Sequence, residues 1–415
     1  MPCLRCTVTI PFAYAPFQSL TKIPLPLSMN PTSPFLLIAT LAAASTVIPA
    51  PAGPSAPAPL SVPASQAAPT GWEPLWSLAS LYKNDANPIL QEFKLRGRYQ
   101  GQYHWLESDQ GGSDAWENRR SRFGFDAKLF RKKIGIRLDV QSNDAFDPFY
   151  DRLTDATIRW KPSEKFSLTL GKQKPQIAYF DWLQSNVYQP TFERSNIFTQ
   201  LRVDRATSAV AEGEVDRFTW QAGLYSNDMD REFGSFDGGV SFGAGIGYDF
   251  KESLGLEKAN WRLDWLHSDI EDGDTVLYRY QNIISSTVWL KDGRWSVVGE
   301  SFLGTGEAPD VFGFFIQPTY DIVPKKFQAV ARYSFTTGDG PDSVAAQRRY
   351  EREAPLLTGG GKGETYQAVY LGGQYFINGD RLKLMAGAEY AYLDGGGNGG
   401  DFDGITFLTG IRFSF

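Results

Sequence analysis

Beyond Glu92 the side-chain polarity of this chain flips at almost every residue, and no other feature restricts its fold as much. In a β-strand neighbouring side chains point to opposite faces, so a period of two sorts each strand into an apolar and a polar side. Phe93, Leu95, Gly97, Tyr99, Gly101, Tyr103 and Trp105 share one face, and Lys94, Arg96, Arg98, Gln100, Gln102 and His104 share the other. The pattern returns with Phe123, Phe125, Ala127 and Leu129 against Arg120, Arg122, Asp126 and Lys128, and again with Ile134, Ile136, Leu138 and Val140 against Arg137, Asp139 and Gln141. Strands of soluble sandwiches usually span about five or six residues. Many of these runs reach about ten, the length of a tilted strand crossing a bilayer. Aromatic residues near the run ends, among them Tyr103, Trp105, Trp160, Trp261, Trp265, Tyr390 and Tyr392, fit interfacial girdles. Counting runs predicts an all-β fold: a transmembrane antiparallel β-barrel of about sixteen strands over residues 91–415.

The connections support the same architecture. Arg131–Lys133, Lys161–Lys165, Lys291–Arg294 and Asn378–Arg381 are short, whereas Lys172–Arg205, Tyr225–Gly239, Thr337–Glu364 and Asp394–Asp403 are long and polar. That alternation is expected of a barrel with short periplasmic turns, long external loops and both termini on the periplasmic side. The chain ends on Ile405, Phe407, Thr409, Ile411, Phe413 and Phe415, an alternating strand closed by a terminal aromatic. Such an ending resembles the mark read by outer-membrane assembly machinery, so that machinery is an expected partner through Phe415, beside outer-membrane lipids and lipopolysaccharide.

Export is predicted by Phe35–Ile48, an uncharged apolar run too short for a membrane helix but suited to a signal-peptide core. Residues 1–52 read as the signal peptide, with its start at Met1 or Met29, and residues 53–90 as an Ala/Pro-rich periplasmic spacer with a short N-terminal segment. These features place the mature chain in the outer membrane of a Gram-negative-type bacterium. Cys3 and Cys6 precede the signal core, so their C-x-x-C spacing reads as part of a removed segment. A net charge of -6 excludes a general nucleic-acid binder, and no cofactor is expected.

The polar face of the early strands is basic: Lys94, Arg96, Arg98, Arg120, Arg122, Lys128, Arg137 and Arg159. Rings of cations in a water-filled lumen favour anions, since charge and donors replace part of the lost hydration. Asp126, Asp139, Asp155, Asp264, Glu300 and Glu389 are expected on the same wall, so a mixed, mutually paired lining is the competing reading. Other motifs point to packing and loops. Gly243, Gly245 and Gly247 line one strand face and predict close packing against a constriction loop; the run Gly359–Gly363 lacks the Ser or Thr of a phosphate loop. Asp228, Asp230 and Glu232 have calcium-loop spacing, but Phe233 stands where the sharp turn needs Gly. His104 and His267 read as polar strand residues, and no Ser, His and acid cluster is recognisable, which argues against an enzyme.

The segments Arg119–Phe125 with Lys128–Phe130, Gly171–Pro175 and Phe192–Ser195, in that order, resemble the phosphate-selective porins O and P. The resemblance implies a sixteen-stranded barrel, a homotrimer, and a third loop folded into the pore as a constriction. Gln173–Ser195 looks like that loop, with Lys174, Asp181, Glu193 and Arg194 as its charged residues. The family's lysine-rich external loops are not matched here. The expected function is therefore passive diffusion of small hydrophilic solutes or ions with a mild anion preference. A closed barrel serving as anchor or adhesin is the alternative, followed by an outer-membrane hydrolase.

Overall fold

The computed structural model describes residues 71–144, 146–228, 232–269, 279–395 and 400–415. The signal peptide with Cys3 and Cys6, residues 53–70 of the spacer segment, and Asp230 lie outside the described residues. Sixteen antiparallel strands, each paired with the next, form the wall. The first five are β1 (Leu90–Ser108), β2 (Ser113–Leu129), β3 (Ile134–Ser142), β4 (Arg152–Ser163) and β5 (Phe166–Gln173). There follow β6 (Ala206–Val215), β7 (Phe218–Ser226), β8 (Val240–Asp249), β9 (Lys258–Ser268), β10 (Asn282–Asp292) and β11 (Trp295–Thr305). The last are β12 (Val311–Val323), β13 (Phe327–Gly338), β14 (Thr365–Asn378), β15 (Leu382–Asp394) and β16 (Phe402–Ser414).

The barrel closes where β16 pairs with β1, from Gly404 opposite Ser108 to Ser414 opposite Arg98. Closure removes the free edge that would otherwise invite pairing with other chains. Phe415 continues the seam: its backbone exchanges hydrogen bonds with Gly97, and its ring fills the space a Cβ at Gly97 would need. Below it the N-terminal segment takes over. Ala79 accepts from the Leu95 N–H, Ser80–Lys83 pairs with β1, and the indole of Trp76 donates to the Ser414 carbonyl at 2.6 Å.

Side chains on the outer face are apolar and exposed, including Leu95, Phe123, Ile158, Leu170, Phe242, Ile316, Leu371 and Leu384. A surface of that extent is stable only against a lipid-like environment. Turns and loops alternate in phase, although the external connections at 109–112 and 306–310 are as short as turns.

The interior is not uniformly polar. Loop 3 (residues 174–205) and loop 7 (339–364) fold inward, and inward-facing residues of the later strands are apolar where they meet them. Phe180, Ile197, Phe198 and Leu201 of loop 3 share one buried cluster with Ile283, Val298, Phe302 and Phe315 of the wall. Burying such side chains contributes roughly 1.5–3 kcal/mol each, which holds the loop in the lumen.

Candidate functional site

Loop 3 leaves β5, crosses the lumen and docks on β10 to β12. Glu300 receives it: one carboxylate oxygen accepts from the Phe180 N–H at 3.0 Å and the other from the Asp181 N–H at 2.9 Å. Phe180 then packs edge-on against Trp289, with ring centroids 5.1 Å apart. Glycines make the approach possible. A Cβ at Gly313 would overlap Ile197, and one at Gly410 would overlap Phe192. The stripe Gly243, Gly245 and Gly247 acts one step removed: it clears room for Tyr225, Gln221, Asp264 and Thr219. Tyr225 and Gln221 in turn hold the backbone of Gln176 in the loop.

Within the loop, Asp181 accepts from both the N–H and the hydroxyl of Ser195, at 2.9 and 2.6 Å, while Ser195 caps the helix Asn196–Leu201. Burial raises the Asp181 carboxyl above its ordinary range. Glu193 makes a two-pronged pair with Arg119, at 2.6 and 2.8 Å. Burial alone would raise Glu193, but Arg119, with Arg120 and Arg349 adding to it, holds the carboxyl below its ordinary range. Both acids are thus committed to bracing the loop.

The opposite wall is basic, and its charges fall into two groups. Toward the ends of the strands they are paired: Arg96 with Asp126 and Asp139, Arg137 with Asp126, Lys128 with Glu92, and Arg159 with Glu212. Arg205 is likewise paired with Asp155. At the waist Arg119 is paired with Glu193, but six others are not. Arg98, Arg120, Arg122, Lys174, Arg194 and Arg412 have no carboxylate oxygen within 4.0 Å among the described residues. Each meets neutral acceptors: Ser185 for Arg98, Gln100 for Arg120, Gln141 for Arg122, the Trp182 and Gln184 carbonyls for Lys174, the Asp181 carbonyl and Asn186 for Arg194, and Gln102 with the Gly101 carbonyl for Arg412. Burial pushes the Lys174 ammonium well below its usual value, with Arg194 and Arg205 adding repulsion, and lowers Arg194 to about 10. Both also lie 4.8 Å from the ring of Trp182, where the indole face offers partial compensation.

A cavity of about 650 Å³ opens beneath loop 3, lined by Lys94, Arg96, Arg98, Arg122, Arg137 and Tyr188 among others. One rung further along β1 and β2 it gives way to a space of about 10 Å³ between Gln100, Arg120, Glu193, Arg194 and Arg412. A separate cavity of about 530 Å³ lies against β4 to β9, where cations such as Arg159 and Arg262 alternate with acids such as Glu212 and Asp249.

Of the residues singled out by sequence, Lys94, Arg96, Arg98, Arg122 and Arg137 line the 650 Å³ cavity, Arg120 and Arg194 border the narrow space, and Arg159 faces the 530 Å³ one. Lys128 sits nearer the strand end, paired with Glu92. Arg119 escaped the periodic reading, because strict alternation puts it on the outer face. A bulge where Gln100 and Gly101 oppose Arg120 and Asn118 inserts Arg119 as an extra residue and turns it inward. Arg412 and Arg332 were also missed; both are inward residues on late strands read chiefly for their outer aromatics. His104 lies in the lumen beside Glu353, and His267 stacks on Trp265. Among the described residues no acid, His and Cys grouping could hold a metal ion.

Residues 93–245 match the family model described as phosphate-selective porin O and P. No curated protein matches the chain. Solved structures share the fold at low identity. The OmpF of Salmonella typhi, in complex with daunomycin, is 13% identical over 81% of this chain and 100% of its own, with a TM-score of 0.56. OprB of Pseudomonas putida is 12% identical over 78% and 94%, also with a TM-score of 0.56. The trimer form of OmpT, an outer membrane protein of Vibrio cholerae, is 15% identical over 78% and 99%, with a TM-score of 0.50.

Proposed function

We propose, taking the chain as an outer-membrane porin through which small hydrophilic solutes diffuse passively, that its waist gives this diffusion an anion preference. The observation that carries the reading is the group of six waist cations with no carboxylate oxygen within 4.0 Å among the described residues. A cation held away from bulk water and left unneutralised attracts a mobile anion, and its donors replace part of the water that the anion sheds. Metal cations passing the same point would shed water and meet repulsion. The pairs at the strand ends keep the wall hydrated without adding net charge there. On this reading Lys94, Arg96, Arg98, Arg120, Arg122, Lys128, Arg137 and Arg159 line the route, and Lys174 and Arg194 complete the constriction braced by Asp181 and Glu193.

The route requires no bond to be made or broken, so the channel is no enzyme. Assembly as a homotrimer, embedding among lipid and lipopolysaccharide, and recognition of Phe415 during insertion complete the proposal. Trimerisation is supported by the trimer form of the Vibrio cholerae OmpT structure and is checked by cross-linking of purified protein.

Reversal potentials in a planar bilayer under a potassium chloride gradient test the preference directly. An anion-selective sign is expected. A cation-selective sign would refute it, and absence of current at every pH would favour the closed anchor.

A further inference from the structure

Inward side chains of β1 mark height in the barrel. Arg96 and Arg98 border the 650 Å³ cavity, Gln100 borders the 10 Å³ space, and His104 lies 3.3 Å from Glu353 of loop 7. At about 3.3 Å per residue these rungs climb from vestibule to roof in roughly 25 Å. A space of 10 Å³ holds at most about one water, and loop 3 and the wall form its border. Beyond it loop 7 folds into the barrel, with Val344, Tyr350, Glu351 and Ala354 buried.

Its central turn is locked to both the wall and loop 3. Tyr350 is 1% exposed and packs in one apolar cluster with Phe192 of loop 3 and with Val330, Tyr370, Met385 and Leu408 of the wall. Its hydroxyl donates to Glu389 on β15 at 2.6 Å, and Glu389 also accepts from Arg332 on β13 at 3.0 Å. Arg332 donates in addition to the Glu193 carbonyl at 2.8 Å, so a single guanidinium ties the roof to the constriction loop. Next to Tyr350, the buried Glu351 accepts from the Gln347 N–H at 2.6 Å and from the Tyr366 hydroxyl at 2.8 Å. Two carboxylates are therefore enclosed together, and Arg332 forms an ion pair with Glu389 alone. Among the titratable groups around them, Arg349 pairs with Glu117 on β2, Arg412 on β16 lies over Phe192, and His104 on β1 lies 3.3 Å from Glu353.

We propose that residues 347–354 form a gate over the basic route, latched through Tyr350 and Glu351 and released when Glu351 ionises. The proposal rests on that route being the conducting one. Burial, with Glu389 adding repulsion, pushes the Glu351 carboxyl up to about 8. The docked loop therefore keeps a proton that the undocked loop loses at the ordinary carboxylate value of 4.5. The latch is at full strength below that value, weakens as pH rises toward about 8, and levels off above. Linkage of one proton changes the undocked population by up to about tenfold per pH unit inside that window.

The test is bilayer conductance of the full-length protein in potassium chloride from pH 5 to 9. Wild type is compared with E351Q, which cannot ionise, and with a variant carrying an equal-length Gly/Ser linker in place of residues 347–354. Wild-type conductance is expected to rise at least about fivefold between pH 5.5 and 8.5, E351Q to stay low throughout, and the linker variant to be high at both ends. The proposal is overturned if E351Q follows the wild-type curve, or if the linker variant conducts no better than wild type at pH 5.5. Should E351Q fail to insert, the linker variant decides alone. Reversal potentials from the same recordings separate the two ideas: anion preference can fail while the pH-dependent amplitude survives, and the reverse.

Discussion

The two sides of the lumen solve different problems. On β10 to β12 the inward residues are Ile283, Ser285, Thr287, Val298, Glu300, Phe302, Val311 and Phe315, mostly apolar and fully covered by loop 3. On β1 to β3 they include Arg96, Arg98, Arg122 and Arg137, which line the 650 Å³ cavity, and Gln100 and Arg120, which border the 10 Å³ space. One wall holds the constriction by burial and the other confronts the solute with charge, so loop position and ion preference are separable by mutation. Glu300→Ala should have the largest effect. It strands the Phe180 and Asp181 N–H groups and the Thr287 hydroxyl in a buried site, at about 1–3 kcal/mol for each unsatisfied group. Purified protein should lose about 3–9 kcal/mol of stability to denaturant, and its conductance should rise as loop 3 leaves the wall, with the anion-selective sign retained.

The converse change leaves the loop and alters the charge. Arg98→Ala combined with Arg122→Ala removes two waist cations whose hydrogen bonds run only to Ser185 and Gln141. Each charge near a permeating ion at intermediate dielectric is worth about 1 kcal/mol or more. The anion-to-cation permeability ratio should therefore fall by about tenfold or more, with little change in unfolding midpoint. A reversal potential unmoved by the double substitution would show that solutes take another path. Between these two changes lies Gly410→Val, which drives a side chain into the Gly101 carbonyl oxygen of β1 and into Phe192. Overpacking of this kind costs about 1–3 kcal/mol and should shift loop 3 and the β16–β1 seam without removing a charge.

The same contrast explains what could be read from the chain alone. On β1 the inward residues meet loops 3 and 7 through polar groups, such as Arg98 to Ser185 and Gln102 to Glu193, so alternation stays clean and both faces were legible, from Phe93 to Trp105 outside and from Lys94 to His104 inside. On β15 the run Leu384, Met385, Ala386 and Gly387 is apolar on both faces because Met385 meets loop 3 and loop 7, and no inner-face role could be read from it. Arg119 was hidden by a bulge that strict periodicity cannot anticipate. Ion pairing was hidden by distance along the chain: Arg119 and Glu193 are 74 residues apart, and Arg96 and Asp139 are 43 apart. Sequence therefore offered a mixed wall; in the structure the cations toward the strand ends are paired, as are Arg119 and Arg205 near the waist, while six waist cations have no carboxylate oxygen within 4.0 Å among the described residues.

Arg159→Gln probes that last distinction and should have the smallest effect. Arg159 reaches Glu212 at 2.9 Å beside the 530 Å³ cavity, with side-chain exposures of 51% and 34%. Solvent screening limits an exposed pair of this kind to below about 1 kcal/mol, and its cation is already neutralised by its partner. Stability should change by no more than that, and the reversal potential should stay within error of wild type. If instead Arg159→Gln lowered anion preference as much as loss of Arg98 and Arg122, the charge-balanced cavity against β4 to β9 would be part of the conducting path, and the division between paired ends and unpaired waist would carry no functional meaning.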